Sequence, residues 1–259
     1  MPVTILIQTS QENFIDQTKE FGLGDTAGWW NTLEADDLDK DGDIDFVAGN
    51  AGLNSRLRAS IQQPVSMLIR DIDGNGSLDP ILTYYNGGHE YPFITRDQLV
   101  KQVPSLKTRY LRYESFKDVS VSDLLSGGRR EFVKNTAKTF ATVFLENTGN
   151  GKFAIHPLPS EAQLFPVYAM QIEDLNQDGN RDILAVGNLD AVQPDIGQYD
   201  AGYGVVLLGD GKGGFAAVEP RKSGFVVPGQ GRDIEVVTTS NGRKVYLVAR
   251  NNDTMLLFR

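Results

Sequence analysis

The sequence predicts an all-β chain assembled from hairpins, and three observations predict it. Short apolar runs of strand character recur along the 259 residues, among them 5–7, 14–16, 65–69, 80–85, 139–145, 167–172, 183–186 and 205–208. Three acidic nine-residue loops, each with glycine at the sixth position, run directly into such strands. Glycine-rich turns at 147–152 and 209–214 each close onto a phenylalanine, Phe153 and Phe215. Two hairpins make a four-stranded sheet, and repeated four-stranded sheets arrange radially, so the architecture expected is a β-propeller. The hairpin count gives about four blades, either a complete ring or part of a larger one. Residues 1–259 then form a single propeller domain or fragment, with a small helical insertion over about 91–135.

The elements follow in order. Residues 5–7 and 14–16 are short strands on either side of a polar turn. Trp29 and Trp30 precede the strand that enters the first acidic loop; they read as core packing, with stacking on a sugar ring as the sharper alternative. Residues 65–69 feed the second loop, and 80–85 leave it. The strand rhythm then breaks. Thr95-Arg96-Asp97-Gln98 has capping-box spacing before Leu99 and Val100, and Pro104 ends that helix. Residues 105–113 read as a second helix and 121–125 as a third. This stretch is locally basic, with Lys101, Lys107, Arg109, Arg112, Lys117, Arg129, Arg130 and Lys134. Strands resume at 139–145, and a last hairpin, 234–237 with 244–248, turns on Ser240-Asn241-Gly242. The chain begins and ends on apolar strands, 3–7 and 255–258; residues 4–8 are expected to lie beside 254–258 in one sheet, completing a blade with the hairpin at 234–248, because free apolar edges invite aggregation.

The acidic loops carry the chemistry. Asp37-Leu38-Asp39-Lys40-Asp41-Gly42-Asp43-Ile44-Asp45 alternates five carboxylates within nine residues. Such a cluster repels itself and no apolar core tolerates it, but a bound divalent cation removes the conflict. Oxygen-only ligands favour a hard ion, and calcium takes six to eight oxygens at about 2.3–2.6 Å. The pattern recurs at Asp71, Asp73, Asn75, Ser77 and Asp79, and again at Asp174, Asn176, Asp178, Asn180 and Asp182. Three loops in one register predict up to three calcium ions. They are not EF-hands: position twelve is Ala48, Leu82 and Ala185 where that motif needs a bidentate glutamate, and strands flank the loops instead of helices. Loop one has the most carboxylates and is expected to bind tightest.

Composition narrows the remaining choices. A net charge of −9 argues against a nucleic-acid partner. Cysteine is absent and only His89 and His156 are present, which leaves little for thiolate or histidine chemistry. No apolar run reaches the roughly 18 residues of a membrane span, and the N-terminus lacks the features of a signal peptide. It reads as a piece cut from a longer chain, whose remaining blades would then be partners. Gly209, Gly211 and Gly214 match a dinucleotide fingerprint by spacing, yet Phe215-Ala216-Ala217-Val218 and Pro220 follow where a helix is required, so a hairpin turn is read.

The acidic loops and Asn-x-Gly-x-Gly-x-Phe turns resemble the FG-GAP/VCBS-type repeats of calcium-bearing β-propellers, the blade type also found in integrin α-chain heads. More narrowly, Gly28-Trp29-Trp30-Asn31, Gly49-Asn50-Ala51-Gly52-Leu53-Asn54-Ser55 and Gly88-His89-Glu90-Tyr91-Pro92-Phe93 resemble the C-terminal propeller region of bacterial proteins related to the cartilage acidic protein (ASPIC/UnbV) group. The resemblance implies calcium on the loop carboxylates and an extracellular, surface-displayed or periplasmic module. It implies a non-enzymatic scaffold that binds a protein or glycan. The alternative is a propeller enzyme or accessory domain acting on polysaccharide, which would need a convergent polar cluster drawn from His89, Tyr91, Arg96, Arg109 and Tyr113.

Overall fold

The computed structural model describes residues 1–126, 132–192 and 197–259; Arg129 and Arg130 of the basic stretch lie outside them. In chain order the strands are β1 (Leu6–Ser10), β2 (Asn13–Asp16), β3 (Thr32–Asp36), β4 (Asp45–Gly49), β5 (Val65–Arg70), β6 (Asp79–Asn86) and β7 (His89–Pro92). Helices α1 (Arg96–Gln102) and α2 (Val121–Leu125) follow, then β8 (Val133–Ala137), β9 (Val143–Asn147), β10 (Phe153–Pro157), β11 (Val167–Glu173) and β12 (Asp182–Gly187). β13 (Val205–Gly209), β14 (Phe215–Val218), the one-turn α3 (Pro220–Ser223), β15 (Gly231–Thr238), β16 (Lys244–Arg250) and β17 (Leu256–Phe258) complete it. The fold is all-β, and every strand pairing within its sheets is antiparallel.

The chain forms two compact units: Met1 with Leu57–Thr139, and Pro2–Arg56 with Phe140–Arg259. The first holds one four-stranded sheet, ordered β7-β6-β5-β8. Its hairpin β5–β6 carries the second acidic loop. The predicted capping box is present: Thr95 accepts from the amide of Gln98, whose side chain accepts from the Thr95 amide. Sequence spacing did not single out a second box, Ser120 with Asp123, that starts α2. Leu99, Val103, Leu106 and Leu124 pack with Ile81 of β6. Residues 105–113 do not form the expected helix; Pro104–Lys107 is a single 3-10 turn and Tyr113–Ser115 another. The helices thus occupy the middle of the stretch, and strands β7 and β8 take its ends.

The second unit stacks three sheets face to face. β10-β9-β4-β3 and β11-β12-β13-β14 enclose a core of Leu38, Val47, Phe144, Met170, Ile183 and Leu207. The opposite face of β12, with Leu184 and Val186, packs with Ile234 and Val248 of the three-stranded sheet β15-β16-β17. Strict alternation sends Ile183 and Ala185 one way and Leu184 and Val186 the other, so every residue of β12 is buried. Such a strand reads as a continuous apolar run, which is how it appears in the sequence.

Two sequence expectations are corrected here. Hairpins do not always pair with the next hairpin along the chain: β4 pairs with β9, about a hundred residues downstream, with Phe46 opposite Leu145. The chain termini also do not share a sheet. β1 pairs with β2 alone, and β17 pairs with β16. Hydrophobic pattern fixes which face of a strand is buried, and a tight turn fixes its hairpin partner; neither specifies a lateral neighbour distant in sequence.

Candidate metal centres

Each acidic loop is held by its own carboxylates before any ion is considered. In loop one Asp37 accepts from the amides of Lys40 (2.7 Å) and Gly42 (3.2 Å), Asp39 from Asp41 (3.1 Å), and Asp41 from Asp43 (2.8 Å). Loop two repeats this: Asp71 accepts from Gly74, Asn75 and Gly76, and Asn75 from Ser77. In loop three Asp174 accepts from Gly179, Asn176 from Asp178, and Asp178 from Asn180. These side-chain-to-backbone turns are the local reason that Asp and Asn occupy alternate positions.

Backbone handedness repeats as well. Position six is Gly42, Gly76 and Gly179, at φ of 94°, 87° and 83°. Position four is also left-handed, at Lys40 (66°), Gly74 (75°) and Gln177 (62°). Only glycine enters this region without cost, so loops one and three hold a strained residue that loop two avoids.

The ninth position is buried, and in loops one and three it does a second job. Asp45 accepts from the amides of Leu38 at 3.0 Å and Asn147 at 2.8 Å; Asp182 accepts from Leu175 at 2.8 Å and Gly209 at 2.9 Å. One oxygen closes the loop and the other fastens the neighbouring strand. Asp79 closes its loop through Ile72 at 2.9 Å. Burial outweighs the two amide hydrogen bonds and pushes the Asp45 and Asp182 carboxyls up. Asp39 is also raised, chiefly by desolvation, with Asp41, Glu146 and Asp37 adding to it. Asp178 is lowered, chiefly by the Asn180 amide.

Among the described residues, two groups of carboxylates are placed to hold a metal ion. Oxygens of Asp37, Asp39 and Asp45 lie within 4.8 Å of one another, as do those of Asp71, Asp73 and Asp79. These are positions one, three and nine of their loops. The corresponding set in loop three is Asp174, Asn176 and Asp182, with an amide in place of one carboxylate. Within the acidic loops two oxygens are buried without a hydrogen-bond partner among the described residues, Oδ1 of Asp73 and Oδ1 of Asp174. A buried carboxylate oxygen left unpaired is costly, and coordination to a cation is one way to satisfy it. The donor sets are oxygen throughout, so they fit a hard ion. Asp41, Asp43, Asn75, Ser77, Asp178 and Asn180 lie outside these sets.

Loops one and three are neighbours. Arg181 pairs with Asp36 at 3.1 Å, and Lys40 lowers the Asp178 carboxyl by its charge. Both loops sit where β3 and β11 end and β4 and β12 begin.

The alternative polar candidates divide into separate groups. Arg96 pairs with Asp97 at 2.7 Å, donates to the carbonyls of Tyr110 and Leu111, and lies over the Tyr113 ring, whose hydroxyl donates to Asp97. Arg109 donates to Ser126 and lies over Tyr110. His89 meets Tyr91 edge to face on β7. Trp30 donates its indole N–H to Thr26 and packs against the core, as read, whereas Trp29 is exposed and meets the Phe140 ring at a tilt, 4.7 Å between centroids.

No protein-family model and no curated protein matches the chain. No helix among the described residues is long and apolar enough to cross a membrane.

Proposed function

We propose that the chain is a calcium-stabilised β-propeller module of the FG-GAP/VCBS type, acting as a scaffold that binds a protein or a glycan. The observation that carries the reading is the threefold recurrence of one loop geometry: oxygens at positions one, three and nine, left-handed backbone at four and six, and a buried aspartate that closes the loop. Recurrence at this level of detail marks a repeated structural unit. The orphaned oxygens of Asp73 and Asp174 support a cation as the missing partner. The face-to-face stacking of sheets in the second unit supports blades of a propeller, whether these sheets form part of a larger ring or of a smaller one.

A scaffold is favoured over a polysaccharide-processing enzyme because Arg96, Asp97 and Tyr113 are engaged with one another and with backbone carbonyls. Calcium sites of modest charge suit an extracellular, surface or periplasmic setting, where the ion is abundant. The net charge of −9 speaks against nucleic acid as the partner.

Thermal unfolding with calcium, magnesium and excess chelator tests the metal reading. Binding to the native state alone stabilises by about 2.7 kcal/mol per site at a hundredfold excess over Kd. Calcium should raise the melting temperature above that in chelator, and Asp37→Ala should remove part of the rise. An identical melt in calcium and chelator would sink the proposal.

A further inference from the structure

At the opposite ends of the same strands, away from loops one and three, lies a cleft of about 190 Å³. It opens where β3 and β11 begin and where β4 and β12 end. Trp29, Phe140, Tyr168 and Tyr199 line it with Asn31 and Ser55. Two repeated Gly-Asn pairs brace it. Asn50 follows Gly49 and accepts from the amide of Trp29; Asn188 follows Gly187 and donates to the carbonyls of Gly202 and Gly229. A Cβ on Gly187 would stand 1.7 Å from the carbonyl oxygen of Pro166, so close backbone approach requires glycine there.

Four of the polar groups around the aromatic walls are unengaged by the described residues. The indole N–H of Trp29, the side-chain amide of Asn31 and the hydroxyls of Tyr168 and Tyr199 make no hydrogen bond to any described residue. Four donors or acceptors without a partner among the described residues thus share a cleft with three exposed or half-buried aromatic rings. Among the described residues no carboxylate, ammonium or guanidinium lines the cleft itself, so none of them offers an ion a partner by pairing. An aromatic cage for a quaternary ammonium is disfavoured as well. The Arg232 guanidinium already covers the Tyr168 ring at 4.2 Å, and Arg56 places positive charge beside Tyr199.

We propose that this cleft binds one neutral pyranose ring, the terminal unit of a glycan. A pyranose presents an apolar C–H face, which packs on aromatic rings, and a rim of hydroxyls that both donate and accept. Trp29 and Tyr199 supply the rings; Asn31, the two phenols and the indole N–H supply matching partners. The cleft is smaller than the roughly 300–1,000 Å³ of a drug-sized site, which suits one ring and not a chain. This inference rests on the scaffold reading and names its ligand class.

The test uses the Trp30→Phe chain, in which Trp29 is the remaining indole of the two. Its fluorescence is titrated with methyl glycosides of glucose, galactose, mannose and N-acetylglucosamine, and with tetramethylammonium, alongside melts in calcium and chelator. A saturable change with at least one glycoside and none with tetramethylammonium is expected. Tyr199→Phe and Tyr168→Phe, which keep the rings, should each weaken binding about two- to tenfold, and Trp29→Ala should abolish it in a thermal-shift readout. Silence towards every glycoside in a cooperatively melting protein overturns the proposal, as does a response to tetramethylammonium alone or one unmoved by both tyrosine variants. If sugars bind while calcium leaves the melt unchanged, the metal reading fails and the sugar site stands; the converse result separates them the other way.

Discussion

The Asp45 carboxylate accepts from the amide of Asn147, 102 residues downstream, at 2.8 Å, while its other oxygen closes the loop through Leu38. The residue that reads as a metal ligand is also the fastening between β4 and β9. The two roles separate experimentally. In chelator, Asp45→Ala leaves two amides without their acceptor and should cost about 2–4 kcal/mol. Asp41→Ala, which removes an exposed loop carboxylate, should change stability by no more than about 0.5 kcal/mol. Denaturant unfolding in chelator compares them; equal losses would mean that Asp45 acts only through an ion.

Left-handed backbone at the fourth loop position gives a second contrast. Gln177 sits at φ 62° where loop two has Gly74 at 75°. Gln177→Gly should relieve a cost of about 1–2 kcal/mol, partly offset by the greater freedom of glycine in the unfolded chain. A net gain of about 0.5 kcal/mol is expected. Gly42→Ala meets nothing within 4 Å of the new Cβ but must adopt φ 94°, so strain alone should cost about 1–2 kcal/mol. Denaturant midpoints at constant slope check both.

What the sequence disclosed and what it withheld follow one physical division. Local rules reach the loops, because the oxygens at alternating positions and the glycine at position six act within nine residues. They also reach the turns at 147–152 and 209–214, where Asp210 caps its own loop through the amides of Lys212 and Gly214. They do not reach the pairing of β4 with β9, since nothing in Phe46 or Leu145 names the other as its neighbour. The cleft was hidden for the same reason. Trp29 stood out by type, but Tyr168 and Tyr199 are ordinary aromatics until β11 and the Leu189–Tyr199 bridge bring them beside it. The doubled role of the ninth aspartate had a faint signal: it is the one loop carboxylate preceding an apolar strand in all three repeats.

Glu34 on β3 yields a pH prediction. Burial, and then the charges of Asp233 and Glu235, hold its carboxyl above the ordinary value of 4.5. Folding therefore favours the protonated form. That contribution is fully present below the unfolded pKa and is lost as pH rises through the higher folded value. Glu34→Gln mimics the protonated state, so it should stabilise at pH 7 and make little difference near pH 3.5. The group is partly exposed and screened, so the gain should stay below about 1 kcal/mol. Melts across this range test the sign; destabilisation at pH 7 would refute it.

The last prediction concerns the chain crossing between β4 and β9. After β4 the backbone returns so that the amide of Gly52 donates to the carbonyl of Phe140 at 2.8 Å. The outgoing and returning strands of the chain therefore touch, with residues 57–139 folded as a compact unit between them. Four residues from Gly52 to Arg56 cannot carry the chain further than about 14 Å. A glycine-serine linker of about six residues, spanning up to about 20 Å, should therefore join Arg56 to Phe140 without moving β4 or β9. The shortened chain keeps Asp45 with Asn147 and Asp182 with Gly209, and loses loop two with its strands. It should melt cooperatively, show fixed near-ultraviolet dichroism from its aromatic core, and respond to calcium through loops one and three. A broad, non-cooperative melt would mean that the β4–β9 pairing depends on residues 57–139, contrary to the hydrogen bonds that hold it from within its own sheet.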